Sequence, residues 1–298
     1  MQIQYLKSQN IMKTWMLLLF FFGLVVGISF FFSYLLGNKS IFYMGVVFAL
    51  VMNGLSYWYS DKWAIALNRA RPIGENEYKQ VQESVARLSV LAQVPVPSLY
   101  VIESNAMNAF ATGRDYNHSA LAVTSGLVAR LTPEQLDGVL AHEIGHIKNY
   151  DIRLMALAGV LAGLVSIIAN FFLRMSLFGG NNDERREGGV LLLALAFLFA
   201  ILAPLFAQLL HLAISRKREF LADATSAYIT KNPRGLASAL REISRDAFPL
   251  TQAQPSTAHL FIANPFRSQK GFASWLGNLF ATHPAIEERV EGLEQMVV

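Results

Sequence analysis

The stretch Ala141-His142-Glu143-Ile144-Gly145-His146 decides how the rest of the chain is interpreted. Its H-E-x-x-H spacing predicts two imidazoles four residues apart on one face of a helix, where both can bind the same zinc ion. Glu143 lies beside them and is the candidate acceptor of a proton from a water molecule at that metal. A solvated helix that carries two surface histidines is the alternative interpretation.

The residues before the motif predict where this helix begins. Thr132 is the expected N-cap, Pro133 stands at the first helical position, and Gln135 is placed to complete a capping box. Apolar residues then recur at helical spacing as far as Ile147. The motif is therefore expected on an amphipathic helix with one side to bury.

Composition restricts the class of protein. The 298 residues are 53% hydrophobic and only 15% charged, which is unusual for a purely soluble protein and indicates a membrane protein. The net charge of +4 comes from basic residues that border apolar segments, so a membrane topology is favoured and no nucleic-acid partner is expected. The chain has no cysteine, which excludes disulfides and thiolate metal ligands and suits a reducing cytoplasm.

Four apolar segments are long enough to cross a bilayer, and they predict two hairpins at residues 12–36 with 41–60 and 154–172 with 189–212. For the second hairpin, an unusually apolar pair of soluble helices is the alternative, because Ser166 and Asn170 interrupt it. Lys and Arg are more frequent near the span ends on the side of the termini and the metal helix than in the turns. The positive-inside rule places that side in the cytoplasm.

A small sheet is predicted next to the metal helix. Residues 99–102 and 120–124 are apolar runs typical of strands, and Asn108 to Gly113 is a candidate edge strand. An edge strand there could bind an extended peptide through backbone hydrogen bonds, with little demand on the sequence of the peptide.

A third metal ligand is expected where the chain re-emerges from the fourth span. Glu219 and Asp223 are four residues apart and share a helix face. Glu219 could complete a His-His-Glu site, and Asp223 could accept a hydrogen bond from a ligand imidazole. A charged, solvated helix face would give the same pattern and stays open as the alternative.

Several segments together resemble the HtpX-type integral-membrane zinc metallopeptidases, which are relatives of the CAAX prenyl proteases. The resemblance covers nearly the whole chain and rests on the two hairpins and on four motifs in the same order: N-A-F-A-T-G at 108–113, H-E-I-G-H at 142–146, S-R-x-x-E-x-x-A-D at 215–223 and T-H-P at 282–284.

This resemblance implies a gluzincin fold with one zinc ion per chain. It implies ligands at His142, His146 and Glu219, with Glu143 as the catalytic base. It also implies that Asn108 and His283 contact the substrate or the tetrahedral intermediate.

The expected fold class is α+β and mostly helical: a four-span membrane anchor and a zincin-like catalytic domain with a small sheet. The predicted division is 1–71 for the first transmembrane hairpin, 72–153 for the first part of the catalytic domain, 154–214 for the second hairpin and 215–298 for the second part of the catalytic domain.

The expected function is a membrane-embedded zinc endopeptidase. The resemblance implies a bacterial inner membrane, polypeptide substrates and a role in stress-response quality control. The position of the site near the span ends indicates misfolded membrane proteins, cut on the cytoplasmic side. Two other interpretations stay open: an intramembrane protease with its zinc inside the bilayer, and a non-enzymatic membrane scaffold with a structural metal. The sequence predicts neither oligomeric state nor cleavage specificity.

Overall fold

The computed structural model describes residues 2–35, 37–178, 198, 216–266 and 284–296. The helices in this part are α1 (Gln2–Leu35), α2 (Lys39–Leu67), α3 (Lys79–Ala92), α4 (Ser125–Arg130), α5 (Pro133–Lys148), α6 (Asp151–Phe178), α7 (Arg216–Thr230), α8 (Pro233–Arg245) and α9 (Ile286–Glu294). The strands are β1 (Arg71–Pro72), β2 (Ser98–Ile102), β3 (Ala109–Gly113) and β4 (Ser119–Thr124). The mostly helical fold with a small sheet is confirmed.

The first predicted hairpin consists of α1 and α2. Within the described ranges, Ser8–Leu35 and Lys39–Leu67 are long and apolar enough to cross a membrane. Asn38 caps α2 by accepting a hydrogen bond from the Ser40 backbone N–H. Large apolar side chains on the outer face of the hairpin are exposed, as expected for helices that contact lipid: Met12, Trp15, Met16, Leu19, Phe20, Phe30, Phe31, Tyr43, Met44, Val47, Phe48 and Leu50.

The third predicted span lies within α6, which begins three residues after the metal helix ends. Leu157, Leu161 and Val165 of α6 pack against Phe21 and Val25 of α1, so α6 joins the first hairpin in one bundle. The fourth predicted span, 189–212, lies outside the described residues apart from position 198. The four-span count and the division into 1–71, 72–153, 154–214 and 215–298 therefore stay predictions.

The sheet has the strand order β1-β2-β4-β3. Strands β2 and β4 are parallel, whereas β3 pairs antiparallel with β4 and β1 antiparallel with β2. Strand β3 is thus an edge strand, as the sequence predicts. All five of its residues are buried, because the sheet packs against α5 and α6.

Helix α5 is the central helix of the catalytic part. It begins as predicted: Thr132 Oγ1 accepts a hydrogen bond from the Gln135 backbone N–H, and Gln135 Oε1 accepts one from the Thr132 backbone N–H. Helices α3, α7 and α8 and strand β3 all pack around α5. Nearly every side chain from Leu136 to Ile147 is buried as a result, including those of the motif.

Two glycines allow the neighbouring helices to approach the backbone of α5. A Cβ atom on Gly138 would lie 2.6 Å from the Leu236 backbone nitrogen on α8. A Cβ atom on Gly145 would lie 3.2 Å from the Ala222 carbonyl oxygen on α7. Both contacts are with backbone atoms, which cannot rotate away as a side chain could. The close packing of α5 with α7 and α8 therefore depends on glycine at these positions.

We expect Gly138→Ala to destabilise the protein by about 1–3 kcal/mol, because the added methyl group must push α8 away from α5. Gly292→Ala is the matched control, since a Cβ atom there meets nothing within 4 Å and should instead stabilise α9 by about 0.5–1 kcal/mol. Thermal unfolding in detergent measures both changes. Equal or greater stability of Gly138→Ala would contradict the close packing.

Candidate metal centre

The structure brings His142, His146 and Glu219 together, although Glu219 is far from the H-E-x-x-H motif in the sequence. The two Nε2 atoms are 3.2 Å apart. Glu219 Oε2 lies 3.7 Å from His142 Nε2, and its Oε1 lies 3.5 Å from His146 Nε2. Each residue offers one candidate ligand atom, and these three atoms all lie within 4.8 Å of one another. All three side chains are buried.

The Nδ1 atom of each imidazole contacts a carboxylate. Asp223 Oδ1 lies 2.9 Å from His142 Nδ1, the contact that the sequence predicts for Asp223. Asp151 Oδ2 lies 3.2 Å from His146 Nδ1 in the same way. A carboxylate at Nδ1 fixes the ring and keeps the proton on that nitrogen, so that the lone pair of Nε2 faces the centre of the cluster.

A buried arginine on α9 connects the carboxylates. Arg289 Nε and Nη2 donate to the two oxygens of Asp223 over 2.9 and 2.7 Å. Its Nη1 donates to the Ile262 carbonyl oxygen over 3.2 Å and lies 3.6 Å from Glu219 Oε2. Burial lowers the pKa of Arg289, but the negative charge of Asp223 and its hydrogen bonds outweigh burial and raise it. The Arg289 charge in turn helps to keep the pKa of Asp223 below its usual range despite burial. Asp223 is thus held as an anion behind His142.

Glu143 is buried beside this cluster. Neither of its carboxylate oxygens has a hydrogen-bond partner of normal geometry among the described residues. Burial raises the pKa of Glu143 to about 7, with the charge of Glu219 acting in the same direction and that of His146 opposing it. The nearby Ala111 backbone N–H also opposes the rise, but it counts for less than burial and the charges of His146 and Glu219. A carboxyl group with this pKa can accept or release a proton near neutral pH.

The two histidines differ in protonation when no cation is bound. Burial and the charge of Arg289 lower the pKa of His142 to about 4, so this imidazole is neutral. Burial also opposes charge on His146, but the Glu219 charge and the Asp151 hydrogen bond outweigh it and raise the pKa to about 9. A cation that binds both Nε2 atoms must displace the proton of His146.

The residues fit a divalent metal ion by spacing and by charge. Two nitrogen ligands ~2.0–2.1 Å from a tetrahedral metal lie about 3.3 Å apart, close to the observed 3.2 Å. Around the cluster, four carboxylates and two guanidinium groups are buried: Glu143, Asp151, Glu219, Asp223, Arg218 and Arg289. With neutral imidazoles, this set carries two negative charges that a divalent cation would balance.

The structure describes only one of the two residues for which the resemblance implies a contact with the substrate. His283 lies outside the described residues. Asn108 is buried at the start of β3, where its Nδ2 donates to the Ala263 carbonyl oxygen over 2.9 Å. The Ile262 backbone N–H also donates to the Ala109 carbonyl oxygen over 2.9 Å. Residues 261–263 thus cover the Asn108 end of the edge strand.

Sequence reasoning missed Asp151 and Arg289 as residues that support the candidate metal ligands. Asp151 lies five residues after His146, at the first position of α6. A carboxylate this close in sequence to a candidate ligand was a signal that it could contact the imidazole. Arg289 lies on the apolar face of α9 between Ile286 and Val290. A cation on the buried face of a helix requires a buried anion, which is the signal that sequence alone offered.

A buried His-His-Glu cluster with a flanking glutamate on the H-E-x-x-H helix is the pattern typical of a metallopeptidase centre, and the described residues also include two helices apolar enough to cross a membrane. The sequence of residues 75–297 matches peptidase family M48. The chain belongs to this family and is a metalloprotease of the membrane type. The predicted resemblance to HtpX-type peptidases is confirmed.

Two relatives illustrate the similarity. A protease HtpX homolog from Syntrophobacter fumaroxidans is 47% identical over 255 residues, which cover 84% of this chain and 88% of the relative. One from Thermoanaerobacter pseudethanolicus is 39% identical over 300 residues, with 98% and 97% covered. The crystal structure of S. mikatae Ste24p aligns with a TM-score of 0.49 at 17% identity, covering 97% of this chain and 67% of Ste24p.

We expect Glu219→Ala to lower the metal content of the purified protein, because the substitution leaves two protein ligands and removes one negative charge. Elemental analysis after dialysis against a chelator measures the change. Glu288→Ala is the matched control, since Glu288 is an exposed carboxylate on α9 and should leave the metal content unchanged. A full metal complement in Glu219→Ala would remove Glu219 from the ligand set.

Proposed function

We propose that the protein is a zinc-dependent endopeptidase in which His142, His146 and Glu219 hold the metal and Glu143 is the catalytic base. The observation that carries this proposal is the buried glutamate beside the cluster. A structural metal site needs no such group, and it is usually closed by four protein ligands. Here the donor set comprises three residues within the described part of the chain, and the buried carboxylate of Glu143 interacts electrostatically with two of them, His146 and Glu219.

When bound, zinc would polarise the scissile carbonyl and lower the pKa of a neighbouring water molecule. The roles of the chain's own residues follow from their surroundings. Asp151 and Asp223 orient the two imidazoles, and Arg289 keeps Asp223 ionised. Glu143 accepts the proton of the attacking water and returns it to the leaving amine, which its near-neutral pKa permits in both directions.

An extended polypeptide is the proposed substrate, and β3 is the proposed docking strand. The strand lies at the edge of the sheet and packs directly against α5. Because residues 261–263 cover its Asn108 end, a substrate must pair with the rest of the strand or displace that segment. Backbone pairing of this kind suits a protease that cuts unfolded segments of many sequences.

The metal centre is proposed to lie at the cytoplasmic end of the membrane bundle, in a multi-pass protein of a bacterial inner membrane with both termini in the cytoplasm. Helix α6 starts immediately after the metal helix, so the centre is close to the end of a membrane-directed helix. Glu134 is exposed on α5, and Asp137 forms a partly exposed ion pair with Arg87. These solvated charges favour a site outside the lipid over an intramembrane zinc.

A role in stress-response quality control is proposed from the resemblance to HtpX-type peptidases. A centre at the membrane surface can reach loops of misfolded membrane proteins close to the bilayer. This position supports membrane proteins as the main substrates.

We expect Glu143→Gln to lower kcat for peptide hydrolysis by about 10²–10⁴-fold while the metal content stays at the wild-type level, because the amide keeps the shape of the side chain but accepts no proton. Cleavage of a fluorescently labelled, denatured polypeptide in detergent measures kcat, and elemental analysis measures the metal. Glu134→Gln changes an exposed glutamate of the same helix and should keep full activity. Near-normal turnover of Glu143→Gln would refute the proposed mechanism.

A further inference from the structure

Asn10 on the first membrane helix reaches the end of the metal-binding helix. Its side chain is buried, and its Nδ2 lies 3.4 Å from the Asn149 carbonyl oxygen, 3.2 Å from the Tyr150 carbonyl oxygen and 3.2 Å from Asp151 Oδ1. All three neighbours are oxygen acceptors. They fix the orientation of the amide, because only its NH₂ group can face them.

The two carbonyl groups belong to the turn between α5 and α6. Tyr150 has a φ of 61°, a left-handed conformation that is costly for a residue with a Cβ atom. Carbonyl groups at the end of a helix have no partner within the helix. Asn10 supplies a donor to them from a different segment of the chain, so α1 stabilises the turn that ends the metal helix.

The third acceptor connects Asn10 to a metal ligand. Asp151 Oδ1 lies within hydrogen-bond distance of both Asn10 Nδ2 and Arg218 Nη1, at 3.2 and 2.7 Å. Its Oδ2 lies 3.2 Å from His146 Nδ1. With Oδ1 held by donors from α1 and α7, the carboxylate can turn only Oδ2 towards the imidazole. The contact with Asn10 therefore helps to set the ring orientation of His146.

We propose that Asn10 is a positioning residue of the metal centre, so that the first membrane helix is part of the catalytic unit as well as an anchor. The proposal rests on the proposed function, because it takes His146 as a metal ligand. The match to peptidase family M48 begins at residue 75, so Asn10 lies outside the matched residues.

The test uses the full-length protein in detergent with Zn²⁺ and Co²⁺ as probes. Asn10→Leu has nearly the same volume without a donor, and Asn10→Asp places a carboxylate against three oxygens. We expect Asn10→Leu to weaken metal affinity in chelator competition by about 10-fold, the low end for partners of metal-ligating histidines, and Asn10→Asp to weaken it further. The visible spectrum of the Co²⁺ protein should change in both variants, because it depends on the geometry of the ligands.

Asn53→Leu is the matched control. Asn53 donates to the Leu18 carbonyl oxygen over 3.2 Å within the same hairpin, and it forms no hydrogen bond with the described residues of α5, so its loss should leave metal affinity and the Co²⁺ spectrum unchanged. Equal affinity in Asn10→Leu and Asn53→Leu would overturn the inference. If Asn10→Leu does not fold, Asn10→Ala is compared with Asn53→Ala by the same criteria.

A double-mutant cycle tests whether Asn10 acts through Asp151. In an Asp151→Asn background, Asn10→Leu should cause less than a 3-fold further loss of affinity, because the link to His146 is already weakened. Fully additive losses would show that Asn10 affects the centre by general destabilisation and would overturn the proposal. Failure of the wild-type protein to bind Zn²⁺ or Co²⁺ would instead refute the proposed function, so the two failures are distinguishable.

Discussion

The metal centre depends on the contact between α5 and α7 at Gly145 and Ala222. A Cβ atom on Gly145 would lie 3.2 Å from the Ala222 carbonyl oxygen and 3.3 Å from its Cα, so the two helices touch almost backbone to backbone. Gly145 directly precedes His146, and Ala222 is one helical turn from Glu219. A larger residue at 145 would separate the carboxylate from the imidazoles. The glycine in the motif is therefore a packing requirement for bringing Glu219, the proposed third ligand, to the imidazoles.

A second constraint is the charge of the interior. Buried carboxylates are costly unless cations or donors compensate them. Arg289 and Arg218 each bind one of the aspartates behind the histidines, through contacts of 2.7 Å. Burial raises the pKa of Glu143 beside the cluster to about 7, and the charge of Glu219 acts in the same direction. A divalent cation at the cluster would offset this buried negative charge.

Local patterns in the sequence predicted much of this arrangement. The capping box at Thr132, the spacing of the two imidazoles and the edge strand β3 follow from patterns within single elements. The spacing of Glu219 and Asp223 also predicted that Asp223 contacts one of the imidazoles, which the structure shows to be His142. Contacts between distant elements left weaker signals. Arg289 was recognisable only as a cation on an apolar helix face, and nothing in the sequence around Asn10 indicates that it reaches Asp151. The segment 261–263 along β3 follows no periodic pattern and was not predictable.

The central claim is that one divalent metal per chain binds to two imidazoles and one carboxylate on α5 and α7. X-ray absorption at the zinc edge of the purified full-length protein tests it most directly, because the chain has no cysteine and the spectrum contains only nitrogen and oxygen ligands. The account predicts one zinc per chain, two imidazole ligands and the remaining ligands oxygen. A chain that retains no zinc, or a site with fewer than two imidazoles, would contradict it.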